Sequence, residues 1–249
     1  MAGHSKWAGI KHKKAVTDAR RGKLFARLIR GVEVAARDGG TSNPTNDMTL
    51  AAAVDRAKQY AVPTDTIERA AKRGAGELNE EVRYERVLYE GYAPSGVAVL
   101  VETLTENRNR TGQEIRTTFT RGGGSLGEPG SVAWMFERKG LIAVDAAAAE
   151  DDVLTAAADL GADDVRRQDD RWEIVCEAKD FASIRAGIAD RGLGVSGSEL
   201  TMLPQSTVPL DGSNAGPVLH LLDVLEDLDD VQNVFTNFDV PDEVLAVLS

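Results

Sequence analysis

Residues 141–203 read LIAVDAAAAEDDVLTAAADLGADDVRRQDDRWEIVCEAKDFASIRAGIADRGLGVSGSELTML. The pattern predicts a strand at 141–145, a helix at 147–160, strands near 164–168 and 172–177, a helix at 179–190 and a strand at 199–203. Trp172-Glu-Ile-Val-Cys176 alternates as a half-buried strand does. Strung together, these elements spell β-α-β-β-α-β. This is the ferredoxin-like order, in which both helices cover one face of an antiparallel sheet.

The flanks of this stretch carry matching pieces. Upstream, β-branched alternation predicts strands at Arg83–Glu90 and Val97–Leu104, separated by the turn Gly91-Tyr-Ala-Pro-Ser-Gly96. A helix follows from about Gly112 to Arg121, with Thr111 and Glu114 at capping-box spacing and Ile115 and Phe119 inward. Gly122-Gly-Gly124 ends it. Ser131–Arg138 and Leu141–Asp145 read as two strands separated by Lys139-Gly140. Downstream, a helix from about Asn214 to Asp229 and a strand from Val231 to Phe238 complete an equivalent unit. Three helices stand at the front. The first, Arg20–Arg37, repeats Leu24, Phe25, Leu28, Ile29, Val32, Ala35 and Ala36 within a sector about 140° wide. The second runs from about Met48 to Tyr60. The third opens near Pro63-Thr-Asp65, with Asp65 and Glu68 at capping-box spacing, and ends at Gly74-Ala-Gly76. The expected class is therefore α+β and multidomain: an N-terminal three-helix bundle followed by two ferredoxin-like α+β domains, the third inserted into the second. The expected boundaries are 1–77 for the basic helical domain, 78–139 with 206–249 for the discontinuous domain, and 140–205 for the insert.

Over 249 residues the formal net charge is −11. Taken whole, that balance argues against a polyanionic partner, but the charge is unevenly placed. Residues 1–76 hold 15 Lys+Arg and 7 Asp+Glu, a net of +8, leaving −19 on residues 77–249. Such asymmetry implies separate surfaces with separate partners. Residues 1–30 hold nine Lys/Arg and one acid, Asp18, whereas residues 220–249 hold eight Asp/Glu and no Lys or Arg. A single cysteine, Cys176, excludes an internal disulfide and a cysteine-cluster metal site. With no apolar run of about 18 residues and a polar, basic N-terminus, neither a membrane span nor a secretory signal is expected. The implied address is cytoplasmic.

Chemistry concentrates at the N-terminus. Gly3-His-Ser-Lys-Trp-Ala-Gly-Ile-Lys-His-Lys-Lys14 runs into a stripe of Arg20, Lys23, Arg27, Arg30 and Arg37, a sector about 100° wide on the first helix. Lysines and arginines so placed neutralise phosphates and release counterions. Trp7, His4 and His12 have the planar rings that stack on exposed bases. The bland alternatives are a solvated basic face and a packed Trp7. Gly122-Gly-Gly-Ser-Leu-Gly-Glu-Pro-Gly130 has the glycines of a phosphate loop. It follows a helix instead of opening one and lacks the Gly-Lys-Ser/Thr ending, so it reads as a helix cap with turns. Asn107-Arg-Asn-Arg110 precedes a helix N-terminus and reads first as capping, second as a phosphate contact. Asp223, Glu226, Asp227 and Asp230 read as the solvated face of an amphipathic helix, with Mg²⁺ binding or docking of a basic protein as the alternatives. Cys176 reads as an inert buried thiol, and His220 stands apart from the other histidines. No catalytic residue, metal ligand or cofactor site is indicated.

Several longer motifs are similar to a known family. Ala2-Gly-His-Ser-Lys-Trp7, Ile10-Lys-His-Lys-Lys14, Arg21-Gly-Lys-Leu-Phe25 and Leu28-Ile-Arg30 resemble the N-terminal signature of the YebC family. Tyr89-Glu-Gly-Tyr92, Asn107-Arg-Asn-Arg-Thr111 and Gly130-Ser-Val-Ala-Trp-Met-Phe136 resemble it further along. The resemblance implies a helical N-terminal domain and two α+β domains, one interrupting the other. It also implies a cytoplasmic, DNA-binding transcriptional regulator, or, as for mitochondrial and some bacterial relatives, a translational activator at the ribosome. Two positions depart from the family pattern: Gly9 stands where Asn is usual, and Asn46-Asp-Met-Thr-Leu50 lacks arginines common there.

The expected function is a non-enzymatic regulator of gene expression. Lys6, Lys11, Lys13, Lys14, Arg20, Lys23, Arg27 and Arg30 are the candidate phosphate ligands, with Trp7 and His12 as stackers. The partner is DNA, or ribosomal RNA in the alternative, and the acidic domains offer a surface for a basic protein. A metal-dependent enzyme using Asp223, Glu226 and Asp227 is the rival of another class.

Overall fold

A computed structural model of the chain describes residues 18–78, 83–168 and 171–241. They divide into two compact units: Phe136–Leu203, and the described residues of Met1–Met135 with Pro204–Ser249.

The inserted unit follows from strong alternation and short amphipathic helices. Its elements are β4 (Phe136–Asp145), α5 (Glu150–Leu160), β5 (Asp164–Arg167), β6 (Arg171–Glu177), α6 (Phe181–Asp190) and β7 (Val195–Pro204). The sheet order is β5-β6-β4-β7, the ferredoxin-like arrangement expected from the element order. β6 pairs antiparallel with both β4 and β5. Ile142, Val144, Ile174 and Cys176 meet Val153, Ala157, Ile184 and Ile188 in one core. The expected break at Lys139-Gly140 does not occur, and β4 runs straight through it. Gly140 pairs with Cys176, and a Cβ there would lie 2.6 Å from Phe181 Cδ2 and 2.7 Å from Cys176 Sγ. The glycine thus lets α6 approach the sheet and is not a turn.

The first described elements of the larger unit are α1 (Asp18–Gly39), α2 (Met48–Gln59) and α3 (Thr64–Gly74). Leu28, Val32, Ala35 and Ala36 pack on Leu50, Val54 and Ala57 and on Ile67, Ala70 and Ala71. Asp47 caps α2 by accepting from the Leu50 amide at 2.7 Å, so the segment departing from the family pattern serves here as a helix start. The box expected at Asp65 and Glu68 is not formed. α3 begins after Pro63, whose carbonyl accepts from the Thr66 and Ile67 amides, with no side-chain cap.

Next come β1 (Glu85–Tyr92), β2 (Ala98–Thr105), α4 (Arg108–Arg121) and the short β3 (Ser125–Leu126). After the insert follow β8 (Val208–Pro209), α7 (Ala215–Glu226), β9 (Val231–Thr236) and β10 (Phe238–Asp239). The sheet order is β3-β1-β2-β9, with β8 and β10 as a separate parallel pair. This order differs from that of the insert for a simple reason. The chain makes the hairpin β1–β2 first, so those strands sit side by side at the centre, where the insert places strands separated by a helix. Val99, Val101, Val231 and Val234 face Ile115 and Phe119 of α4 and Val218, Leu222 and Leu225 of α7. α4 starts earlier than Thr111. Asn107 is its cap, accepting from the Arg110 amide at 3.1 Å, while Thr111 is buried inside the first turn.

Replacing Gly140 by Ala overpacks the α6–β6 contact. We expect a loss of about 1–3 kcal/mol in the stability of the inserted unit, read as a lower urea midpoint with an unchanged slope.

Candidate nucleic-acid interface

Of the expected phosphate ligands, Lys6, Lys11, Lys13 and Lys14 lie outside the described residues, as do Trp7 and His12. Arg20 lies in α1, with its side chain also outside the described set. The remaining three are brought together, but against protein. Arg27 Nη2 donates to the carbonyl oxygen of Glu226. Lys23 Nζ donates to the Asp227 carbonyl at 3.2 Å and pairs with the Asp229 carboxylate at 3.2 Å. Arg30 Nη1 donates to the carbonyls of Leu104 (3.2 Å) and Asp229 (2.8 Å), and its guanidinium lies 4.9 Å from the Tyr84 ring centroid. Arg37, further along the stripe, donates to the Tyr84 carbonyl. The stripe therefore seats on the bare carbonyls at the C-terminal end of α7 and on the sheet's margin. A helix C-terminus carries partial negative charge and unpaired carbonyls, so cations are favoured there. Burial pushes the Arg27 guanidinium below its ordinary value, with Arg56 adding to the effect and Asp227 opposing it.

Asp230 ties three elements together. Its carboxylate accepts from Arg110 Nη2 (2.6 Å) and Thr111 Oγ1 (2.6 Å) of α4 and from Arg30 of α1 (3.4 Å). Its own carbonyl accepts from the Leu104 amide. The side chain is 7% exposed. Burial pushes its pKa up, but the bonds from Thr111 and Arg110 outweigh this and hold the carboxyl below its ordinary value. A second polar chain runs from Arg56 of α2 to Asn233 of β9 (3.2 Å), then to Glu102 of β2 (2.7 Å). Asp230 was expected on a solvated face, and Arg56, Glu102 and Asn233 carried no signal in sequence. One signal was present. Val34 shares the sector of Lys23, Arg27, Arg30 and Arg37, and it is fully buried. An apolar residue inside a charged stripe marks a docking face.

The glycine-rich segment also meets an anion, supplied internally. Glu90, 7% exposed, accepts from the amides of Gly130, Val132 and Ala133, each at 2.7 Å. Burial raises its pKa, and these three bonds more than reverse the effect. Among the described residues no group of His, Cys, Asp and Glu is disposed to hold a metal ion. Asp223 and Asp227 are exposed, while Asp230 is committed to its cations. Cys176 is buried, which pushes its thiol up to about 11, away from reactivity at neutral pH. No described helix is long and apolar enough to cross a membrane.

Replacing Asp230 by Asn removes the charge that Arg110 and Arg30 share, at a cost of about 2 kcal/mol, since Arg110 remains half exposed. Because the native pKa is depressed, this contribution is complete above the ordinary carboxylate value and fades as the pH falls through the native one. Urea titrations should show a constant gap between wild type and variant near neutrality that closes in acid.

Comparison with known proteins agrees with this architecture. A family model described as the TACO1/YebC protein N-terminal domain matches residues 5–77, and one described as the TACO1/YebC second and third domain matches residues 84–238. A "Probable transcriptional regulatory protein" of Thermobifida fusca (strain YX) is 52% identical over 250 residues, covering 100% of both chains. One of Mycobacterium tuberculosis (strain ATCC 25177 / H37Ra) is 50% identical, covering 100% of this chain and 99% of its own. The crystal structure of a conserved hypothetical protein from Aquifex aeolicus superposes with a TM-score of 0.85 at 45% identity, covering 96% of this chain and 99% of that one. With both family models matched in order and relatives aligned end to end, the chain belongs to the TACO1/YebC family.

Proposed function

We propose that this protein is a non-enzymatic, cytoplasmic regulator of gene expression that binds DNA through its basic N-terminal arm. The observation that carries the reading is the division of charge, +8 on residues 1–76 and −19 on the remainder. Lys6, Lys11, Lys13, Lys14 and Arg20 contact phosphates, and Trp7 and His12 stack on bases. Because Lys23, Arg27 and Arg30 make internal contacts, the arm provides the first encounter with the polyanion. The acidic remainder repels the phosphate backbone and so confines contact to one end. The names of the relatives, probable transcriptional regulatory proteins, support regulation as the outcome.

Neutralising Lys11, Lys13 and Lys14 should weaken DNA binding and flatten the slope of log affinity against log salt by up to about 3 units. An unchanged slope makes those lysines spectators. The same titration against promoter duplex and against ribosomes separates the two targets. Retention on ribosomes with none on duplex moves the assignment to a translational activator contacting RNA.

A further inference from the structure

The surface between the helical bundle and the sheet of the larger unit is made differently from the cores on either side of it. The bundle core and the sheet core are separate apolar clusters. Between them, Lys23, Arg27, Arg30 and Arg37 of α1 end on main-chain carbonyls. These oxygens are acceptors of the kind a phosphate would supply to the same side chains. The join is also incompletely satisfied: Arg27 Nε and Gln232 Nε2 are buried with no hydrogen-bond partner. Gln232 abuts α1 directly, its Oε1 lying 3.9 Å from where a Cβ on Gly31 would stand. Val34 is fully buried on this face, so the join is mixed in character, and its orphaned donors lower the cost of separating it.

We infer that the docked α1 is the closed state of a phosphate-responsive latch. The turn at residues 226–230 occupies the cationic stripe as an internal stand-in for nucleic-acid phosphates, and a polyanion competes with it. Nucleic acid captured by the N-terminal arm then releases α1 from the turn and recruits Lys23, Arg27 and Arg30 as additional phosphate ligands. This rests on the proposed nucleic-acid function and adds a regulation of that same site. By linkage, the closed state lowers apparent affinity by the fraction of chains that are open, and nucleic acid shifts that fraction upward. Three recruited cations steepen the salt dependence by about 3 units.

The test uses the full chain in a Cys176→Ser background, carrying Gly31→Cys with Gln232→Cys to staple α1 onto β9. The comparison is made on chains whose loss of both free thiols on oxidation shows that the disulfide has closed. Binding of a 20-base-pair DNA duplex and of a 20-nucleotide single-stranded RNA is followed by anisotropy over a salt series, with the staple oxidised and reduced. Oxidation is expected to lower affinity for the preferred nucleic acid at least tenfold and to flatten the salt slope by about 3 units. In chains without the staple, Asp227→Asn with Asp229→Asn is expected to raise affinity well beyond Asp151→Asn with Asp152→Asn, which removes equal charge from exposed positions of the insert. Equal affinity and slope in both redox states, or equal effects of the two Asn pairs, would falsify the latch while leaving the arm's binding intact. Absence of binding to either nucleic acid in every form, wild type included, overturns the proposed function and the latch with it.

Discussion

A row of cations laid on the carbonyl end of one helix organises the larger unit. α7 ends with its last carbonyls unpaired by the helix itself, and α1 brings Lys23, Arg27 and Arg30 to them and to the turn beyond. Asp230 then gathers Arg30 from the bundle and Arg110 and Thr111 from α4 around a single carboxylate. The two apolar cores close separately, and these bonds, with the fully buried Val34 on the same face of α1 and the Arg56–Asn233–Glu102 chain, join the bundle to the sheet. The position of the basic face, and hence of anything it binds, follows from this one arrangement.

The same device recurs at the glycine-rich segment. Both stretches have the composition of an anion site, and both are satisfied from within the chain, one by carbonyls and carboxylates of residues 226–230, the other by Glu90. Buried donors demand acceptors, and an internal acceptor arrives at no cost in binding entropy. Amides free to bind a ligand and amides that pin a turn look alike until the residue opposite them is known. Glu90 is that residue. Its alternation within β1 gave only a strand, and its partners lie about 40 residues away.

Much of the architecture was legible in the residues. The apolar spacing of Leu24 to Ala36, the alternation in Trp172–Cys176 and the hairpin around Pro94–Gly96 each specify a local element whose period is set by backbone geometry. At two places local preference and tertiary contact compete. Lys139-Gly140 resembled a turn, but close approach of Phe181 explains the glycine better. Thr111 had capping spacing, yet a buried acceptor at Asp230 claimed its hydroxyl, and Asn107 took the cap. The strand order β3-β1-β2-β9 was not recoverable from element order alone, since a hairpin and a helical crossover place neighbours differently.

For the candidate site, the sequence by itself determined that charge is divided and that the first helix has one apolar and one basic face. Those are properties of composition and period, which need no partner to exist. What only the tertiary structure decided is where the basic face goes. A cation's role depends on which acceptor stands opposite it, and that acceptor lies some 200 residues away, on the end of α7. Lys23, Arg27 and Arg30, which read as phosphate ligands in isolation, are in the folded chain the bonds that seat α1.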